Sequence, residues 1–562
     1  MRPLDWIVLV SFIGFTLIYG IWKGRGSKTT SAYMLADRTM PWYAVALSIM
    51  ATQASAITFV SIPGQAYTDG MRFVQYYFGL PIAMVILCIV AVPLFHNLNV
   101  YTAYEYLERR FDLKTRVLTG FIFLLQRGLS ASLSLYAPAI ILSVILGWDM
   151  RITLRIIGCI VILYTTVGGV KSVNWTDFYQ FLIIMAGMVC ALFMTIWLLP
   201  SDISFLDAVS VAGVAGRLKV VDFSFDWNNR YNFWSGIIGG MFLALSYFGT
   251  DQSQVQRYLT GRSVAQSRLG LLFNGLAKVP MQFLILFIGA MVFVFYQFFA
   301  PPLFFNPVEE AKIRSSSYGQ QYRQIEHNYG HAVGAKRNSI RDFLSAKHNG
   351  NQEQIERSQQ QFIAAQKAAL AERQKGIALL QKNDPDVNTN DTNYVFLTFV
   401  TNYLPAGLVG LVIVVVFGAT MASSSSELNA LATASVIDVY KRLYRQNRSD
   451  RHYLFVSRVA TVCWGLFAVV VSERASRLGS LVEAVNILGS LFYGTVLGIF
   501  MLAFFVKRAT GTPTFLAAIA GEALVAYLFL YTKISFLWYN VFGCLTVIFT
   551  ATLLSLILRK RS

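Results

Sequence analysis

Ala419, Ala422, Ser423 and Ser426 recur at i, i+3, i+4 and i+7 within FGATMASSSSELNALATASVIDVY, residues 417–440. A helix would carry them on one face. That face is small and oxygen-bearing: it lets a second backbone approach closely and offers hydroxyl and carbonyl oxygens to a hard cation. The alternative is a small-residue helix contact that binds nothing. A second stretch, PWYAVALSIMATQASAITFVSIPG at 41–64, is expected to break at Ala51–Ser55 and again at Pro63–Gly64. A break frees carbonyls from the i−4 ladder, and freed carbonyls lining a cavity can coordinate an alkali cation. The alternative there is a Pro-kinked helix whose hydroxyls bond back to their own turn. Lys278, Asp177 and Glu427 also stand in apolar surroundings, where an ionisable group is a functional candidate by default. Lys278 either snorkels to the interface or faces the bundle and holds a carboxylate or hydroxyl. Asp177 is either an N-terminal helix charge at the start of a span or part of a cation site with nearby hydroxyls. Glu427 calls for a partner or a water cavity.

The elements that must position these groups are membrane helices. The chain has 562 residues, of which 55% are hydrophobic and 14% charged, and its mean hydropathy is +0.52. A soluble chain would carry roughly 25% charge. Apolar runs of ~20 residues recur from end to end, enough to span the hydrocarbon core. The fold class is therefore an all-α polytopic membrane protein, not a β-barrel with its ~10-residue alternating segments. About thirteen spans are expected, at 5–22, 42–66, 73–96, 117–147, 150–168, 176–199, 233–258, 267–299, 396–440, 453–472, 479–505, 512–532 and 536–558. The ninth is too long for one crossing and is expected to include a short helix before it. Residues 1–24 lack the basic n-region and cleavage site of a secretory signal.

The net charge of +18 does not imply nucleic acid, because the basic residues fall in short loops between spans. Lys23, Arg25, Lys28 and Arg38, then Arg109, Arg110, Lys114 and Arg116, then Lys441, Arg442 and Arg445, and finally Arg559, Lys560 and Arg561 mark one side. The positive-inside rule makes that side cytoplasmic, with the amino terminus outside and the carboxyl terminus inside, in the cell's inner membrane. Cys88, Cys159, Cys190, Cys463 and Cys544 lie in apolar runs and are read as small buried hydrophobes, not disulfides or metal ligands. No nucleophile elbow, phosphate loop or ligand-spaced histidine cluster marks an enzyme. Residues 306–393 are polar and foreign to the pattern. Ile355, Phe362, Leu370 and Ile377 recur there every seven or eight residues, as on an amphipathic helix, before a turn-rich stop at 383–391. The segment is expected outside the membrane as a spacer or as a hairpin that docks a periplasmic partner.

Four stretches give the chain a family resemblance: DRTMPWYAVALSIMATQASA at 37–56, YTTVGGVKSVNWTDFYQ at 164–180, YFGTDQSQVQRYLTGRSVAQSRLG at 247–270, and NYLPAGLVGLVIVVVFGATMASSSSELNALATASVIDVYKR at 402–442. In this order and spacing they resemble the sodium:solute symporter family over almost the whole chain except 306–393. The resemblance implies a LeuT-type inverted repeat. Five helices at 42–199 and five more at 233–505 would be preceded by one helix at 1–24 and followed by two at 512–558. It places a principal sodium ion on the carbonyls of Ala51, Ala54 and Ala419 and the hydroxyl of Ser423, with Ala422 where many relatives have a second hydroxyl. It places a second sodium at Asp177, Ser425 and Ser426, so two coupling ions are expected. Gln53, Ser55, Tyr77, Tyr247, Lys278 and Asn486 would surround the solute. Tyr77 and Ala244 replace hydroxyl-reading residues of the sugar carriers, which argues against an ordinary hexose.

The expected function is sodium-driven uptake of a small organic solute (a sugar, modified sugar or organic anion) by alternating access. The rivals are a solute sensor built on the same fold, which would need an output domain, a proton-coupled carrier, a membrane enzyme, and a channel, which would need a continuous polar pore.

Overall fold

The computed structural model describes residues 2–25, 29–474 and 481–559; Lys28, Lys560, Arg561 and the first two residues of the span at 479–505 lie outside them. Among the described residues, ten helices are long and apolar enough to cross a membrane. Several expected spans take other forms. Residues 150–199 hold α6 (Met150–Trp197), two helical limbs that meet, as the sequence suggested, at non-helical Gly169 (φ 60°, ψ −177°), where any side chain would meet the Tyr33 ring and carbonyl. Asp177 lies eight residues past Gly169, about two turns into the second limb.

The span at 42–66 is two helices, α2 (Trp42–Gln53) and α3 (Ala56–Asp69). The break is confined to Ala54 and Ser55, narrower than the sequence suggested. The second expected break is absent: α3 runs through Pro63 and Gly64. Gly64 serves close approach instead, because a methyl group there would overlap the Thr392 carbonyl of a neighbouring helix. The span at 233–258 is likewise interrupted, into α8 (Gly240–Gly249) and α9 (Gln252–Leu259).

The remaining frame consists of α1 (Pro3–Gly24), α4 (Leu80–Ile89), α5 (Leu113–Leu146), α7 (Phe205–Val214), α10 (Val264–Phe298), α13 (Thr392–Tyr403), α14 (Leu408–Ala434), α15 (Asp450–Ser472), α16 (Leu481–Phe505), α17 (Gly511–Tyr531) and α18 (Phe536–Arg559). The short helix α13 before the crossing helix α14 matches the long ninth interval. α14 is central: it packs on α6, α5, α1, α15 and α2, and its residues from Ile413 to Ala434 are buried throughout. Its polar residues, Ser423 to Glu427 among them, are therefore buried inside the bundle. Asp5 of α1 fixes its start, accepting from the Gly407 and Gly410 amides at 2.7 and 2.9 Å. These are amides that the first turn of a helix otherwise leaves unpaired. Cys159 and Cys463 are exposed on the outer faces of α6 and α15, so only Cys88 and Cys544 are the fully buried hydrophobes expected of all five.

The polar segment forms a long hairpin, α11 (Gly319–Asn349) and α12 (Gln352–Asn383), the second holding the stripe from Ile355 to Ile377. Ile340, Phe343, Leu344 and Phe362 bury against Ala208, Val211 and Ala212 of α7 and Ala290, Met291 and Val294 of α10. Phe362 is fully buried, but Leu370 is 43% exposed and Ala369 turns inward in its place. Leu370 follows Phe362 by eight residues, a rotation of ~80° at 3.6 residues per turn, which carries it outward and leaves Ala369, seven residues on, facing in.

Candidate functional site

The break in α2–α3 creates the site. Ala54 (φ −88°, ψ 68°) and Ser55 (φ −67°, ψ 169°) leave helical geometry, which releases carbonyls at the end of α2 from their ladder. Ser55 occupies the N-cap position of α3 without making a capping bond, so its hydroxyl is free for the cavity. Ala51 and Ala54 are fully buried, as are Ala419 and Ala422 on α14. Ser423 donates to the Ala419 carbonyl at 3.0 Å and lies 3.3 Å from that of Thr420. This back-bonding leaves the hydroxyl lone pairs directed away from α14. Ser423 shares a cavity wall with Thr52, Gln53 and Ser55 of the break. Carbonyls without helical donors beside a serine hydroxyl suit a hard monovalent cation.

A second polar file crosses α2. Asp177 accepts from Ser48 at 2.7 Å through one carboxylate oxygen; the other is buried and has no partner among the described residues. The Ser48 carbonyl accepts from Thr52 at 2.8 Å, and the Thr52 hydroxyl lies 2.9 Å from that of Ser426. Asp177 and Ser426 are thus linked through α2, whereas Ser425 bonds back to the Ala422 carbonyl at 3.3 Å. An unpartnered buried carboxylate oxygen is costly by roughly 1–3 kcal/mol or more. It is an acceptor position that a cation would satisfy.

Gln53, Ser55, Tyr77, Tyr247 and Asn486 all line one cavity of about 100 Å³. That is small beside the ~300–1,000 Å³ usual for ligand pockets, so it fits a small solute or a narrowed state. Tyr76 closes one side by donating to Asn486 at 2.9 Å. Lys278 is not on the wall. It is fully buried, does not snorkel, and holds its ammonium 5.6 Å from the centre of the Tyr77 ring with no hydrogen-bond partner among the described residues.

Arg127 of α5 lines the cavity and was not expected from the sequence. It donates to Glu427 at 2.9 Å, to the Tyr493 hydroxyl at 2.6 Å and to Asp251. The partner demanded by Glu427 is therefore an arginine from the span at 117–147. The signal was present: an ionisable residue inside an apolar run, the same rule that singled out Lys278. Below Tyr247 every residue of α9 is buried, and Arg257 donates to Asn174 at 2.6 Å.

The sequence model of the Sodium:solute symporter family matches residues 33–317 and 383–521. A sodium/sialic acid symporter of Aliivibrio fischeri is 26% identical, over 97% of this chain and 91% of that protein. The human sodium-coupled monocarboxylate transporter 1 is also 26% identical, over 92% of this chain and 72% of that protein. A solved structure of a Na+-coupled sialic acid symporter, substrate-bound and outward-open, superposes with a TM-score of 0.77 at 22% identity, covering 99% of this chain and 98% of that one. The fold is that of this structure, a LeuT-type carrier.

Proposed function

The chain belongs to the sodium:solute symporter family, a sodium-coupled carrier of a small solute and not an enzyme, and from that premise we propose how its residues divide the work. The principal sodium ion binds the Ala51, Ala54 and Ala419 carbonyls and the Ser423 hydroxyl, with Ala422 contributing only backbone. A second sodium binds Asp177 with Ser426 and Ser425. The solute sits in the cavity lined by Gln53, Ser55, Tyr77, Tyr247 and Asn486, with Lys278 behind Tyr77. The observation that carries this reading is the helix break at Ala54–Ser55, whose Ser55 lines the same cavity as Ser423. Sodium bridging α2 to α14 would hold the two helices together and favour the state that receives solute; only a difference in affinity between states performs this work.

Relatives named for sialic acid and for monocarboxylates both carry organic anions. Together with Arg127 at the cavity and Lys278 behind it, they support an organic anion over an ordinary sugar. The multi-pass membrane protein is assigned to the inner membrane, amino terminus outside. The segment 306–393 is then extracytoplasmic and faces any periplasmic partner. The inverted repeat comprises 42–199 and 233–505.

The test is thermal stabilisation of the purified protein, with and without sodium, across monocarboxylates, sialic acids, amino acids and sugars. A compound that stabilises only with sodium present supports the proposal and identifies its solute class. Absence of any sodium effect would overturn it in favour of a proton-coupled carrier.

A further inference from the structure

Residues 318–382 fall between the two matched family segments, and the hairpin they form carries three of the five histidines of the chain, His327, His331 and His348. His348 meets Asp207 at 2.9 Å. The other two face each other. They stand four residues apart on α11, one above the other on a single face. Tyr329 and Val333, each two residues further on, are buried. A two-residue step turns ~200° about a helix, so the histidines lie on the opposite face, and both rings are exposed. Their Nε2 atoms are 3.0 Å apart, with ring centres separated by 4.5 Å and ring planes crossed at 87°.

Two neutral imidazoles share a hydrogen bond through these atoms only when one ring carries its proton on Nε2 and the other on Nδ1. With both protons on Nδ1, the two Nε2 lone pairs converge, and neutral imidazole nitrogen is the commonest protein ligand of transition metals. The separation selects the metal. At metal–nitrogen bonds of ~2.0–2.1 Å, tetrahedral ligands stand ~3.3–3.4 Å apart, and ligands at right angles ~2.8–3.0 Å apart. The observed 3.0 Å is the right-angle value, that of square-planar or octahedral coordination. Among the described residues no group of three or more histidine, cysteine or carboxylate side chains gathers for a metal, so water must fill the other positions. Tetragonal Cu(II) and Ni(II) accept that arrangement; a closed structural zinc site does not. We propose that His327 and His331 form a surface chelate for a divalent transition metal of tetragonal preference, Cu(II) first and Ni(II) second. The metal clips one turn of α11. The hairpin contributes no residue to the transport cavity, so the chelate stands or falls independently of the sodium and solute assignments.

The experiment is a Cu(II) titration of the tag-free, full-length protein in a non-coordinating buffer at neutral pH, read by electron paramagnetic resonance. The variants His327→Gln, His331→Gln and His348→Gln are titrated beside it. The expected result is one Cu(II) per chain, with superhyperfine splitting from two nitrogen ligands. His327→Gln and His331→Gln should each weaken binding about tenfold or more and lose the two-nitrogen pattern, while His348→Gln binds as the parent does. Retention on an immobilised Ni(II) resin should follow the same order, and Zn(II) should displace Cu(II) poorly. Both rings are exposed, and equal melting temperatures in chelator separate loss of a ligand from loss of the fold. A copper signal that is unchanged in His327→Gln and His331→Gln belongs elsewhere on the chain and overturns the proposal, as does the lack of a two-nitrogen signal in the unmodified protein.

Discussion

Arg127 of α5 and Glu427 of α14 meet at 2.9 Å in the lining of the central cavity, and the same guanidinium holds Asp251, which caps α9. One arginine thus joins three elements. The geometry compensates two buried carboxylates at once, and breaking such a pair from one side leaves a charge stranded. Arg127→Met should therefore destabilise the protein by about 3–5 kcal/mol. The measurement is melting temperature or folded yield after membrane extraction. Adding Asp251→Asn to that variant should recover part of the loss; equal stability of the single variant and its parent would remove the network from the structural account.

Ser423→Ala removes one hydroxyl that bonds only to its own helix. Folding should hold to within about 1 kcal/mol, while sodium-dependent uptake is lost. Uptake in vesicles against protein level checks this, and normal uptake would sink the principal-site assignment.

Asp177→Ala should lower the Hill slope of uptake against sodium while leaving sodium dependence itself. An unchanged slope would mean a single coupling ion. Because the unpartnered oxygen of Asp177 is buried, removal of the carboxylate should cost little stability in sodium-free buffer.

The hairpin supplies a pH prediction. Burial and Arg217 and Arg337 hold Lys336 below its ordinary value, at about 8. Between pH 8 and the unfolded value near 10.4, the unfolded chain binds more protons than the folded one. Stability must then rise with pH, at up to about 1.4 kcal/mol per pH unit. Melting in anion-free sulfonate buffer should show this rise, and Lys336→Met should flatten it.

The membrane class was legible because apolar length needs no tertiary information. The break near Ser55 was legible because small and polar residues interrupt an aliphatic run there. Pro63 misled for a physical reason: a proline inside a membrane helix is tolerated when neighbouring backbone packs against it, and Gly289 of α10 and Thr392 beside Gly64 supply that packing. Arg127 was overlooked although it obeys the rule that flagged Lys278. Its meaning depended on Asp251 and Glu427, which are distant in the chain. The hairpin's two-helix form rests on Asn351, which caps α12 by accepting from the Gln354 amide at 3.2 Å, and on Gly350, which ends α11 at positive φ. That local punctuation could have been read from the sequence. The burial of Lys336 could not, because it depends on how the hairpin packs on other helices.

The hairpin also sets a mechanical constraint. At one end Arg373 pairs with Asp391 at 2.5 Å, beside Tyr322 and Tyr329 packed on Leu303 and Phe304; at the other, His348 meets Asp207 at 2.9 Å and Lys347 reaches Ser210. A strut fastened at both ends acts as a splint: α7 and α13 keep their separation whenever the carrier cycles. Spin labels placed near Ala215 and Asn402 should report one distance in sodium, with solute, and in neither. Motion on this side is then confined to what rotates as a unit with the splint, and a distance that changes with sodium would show the fastening to be released during transport.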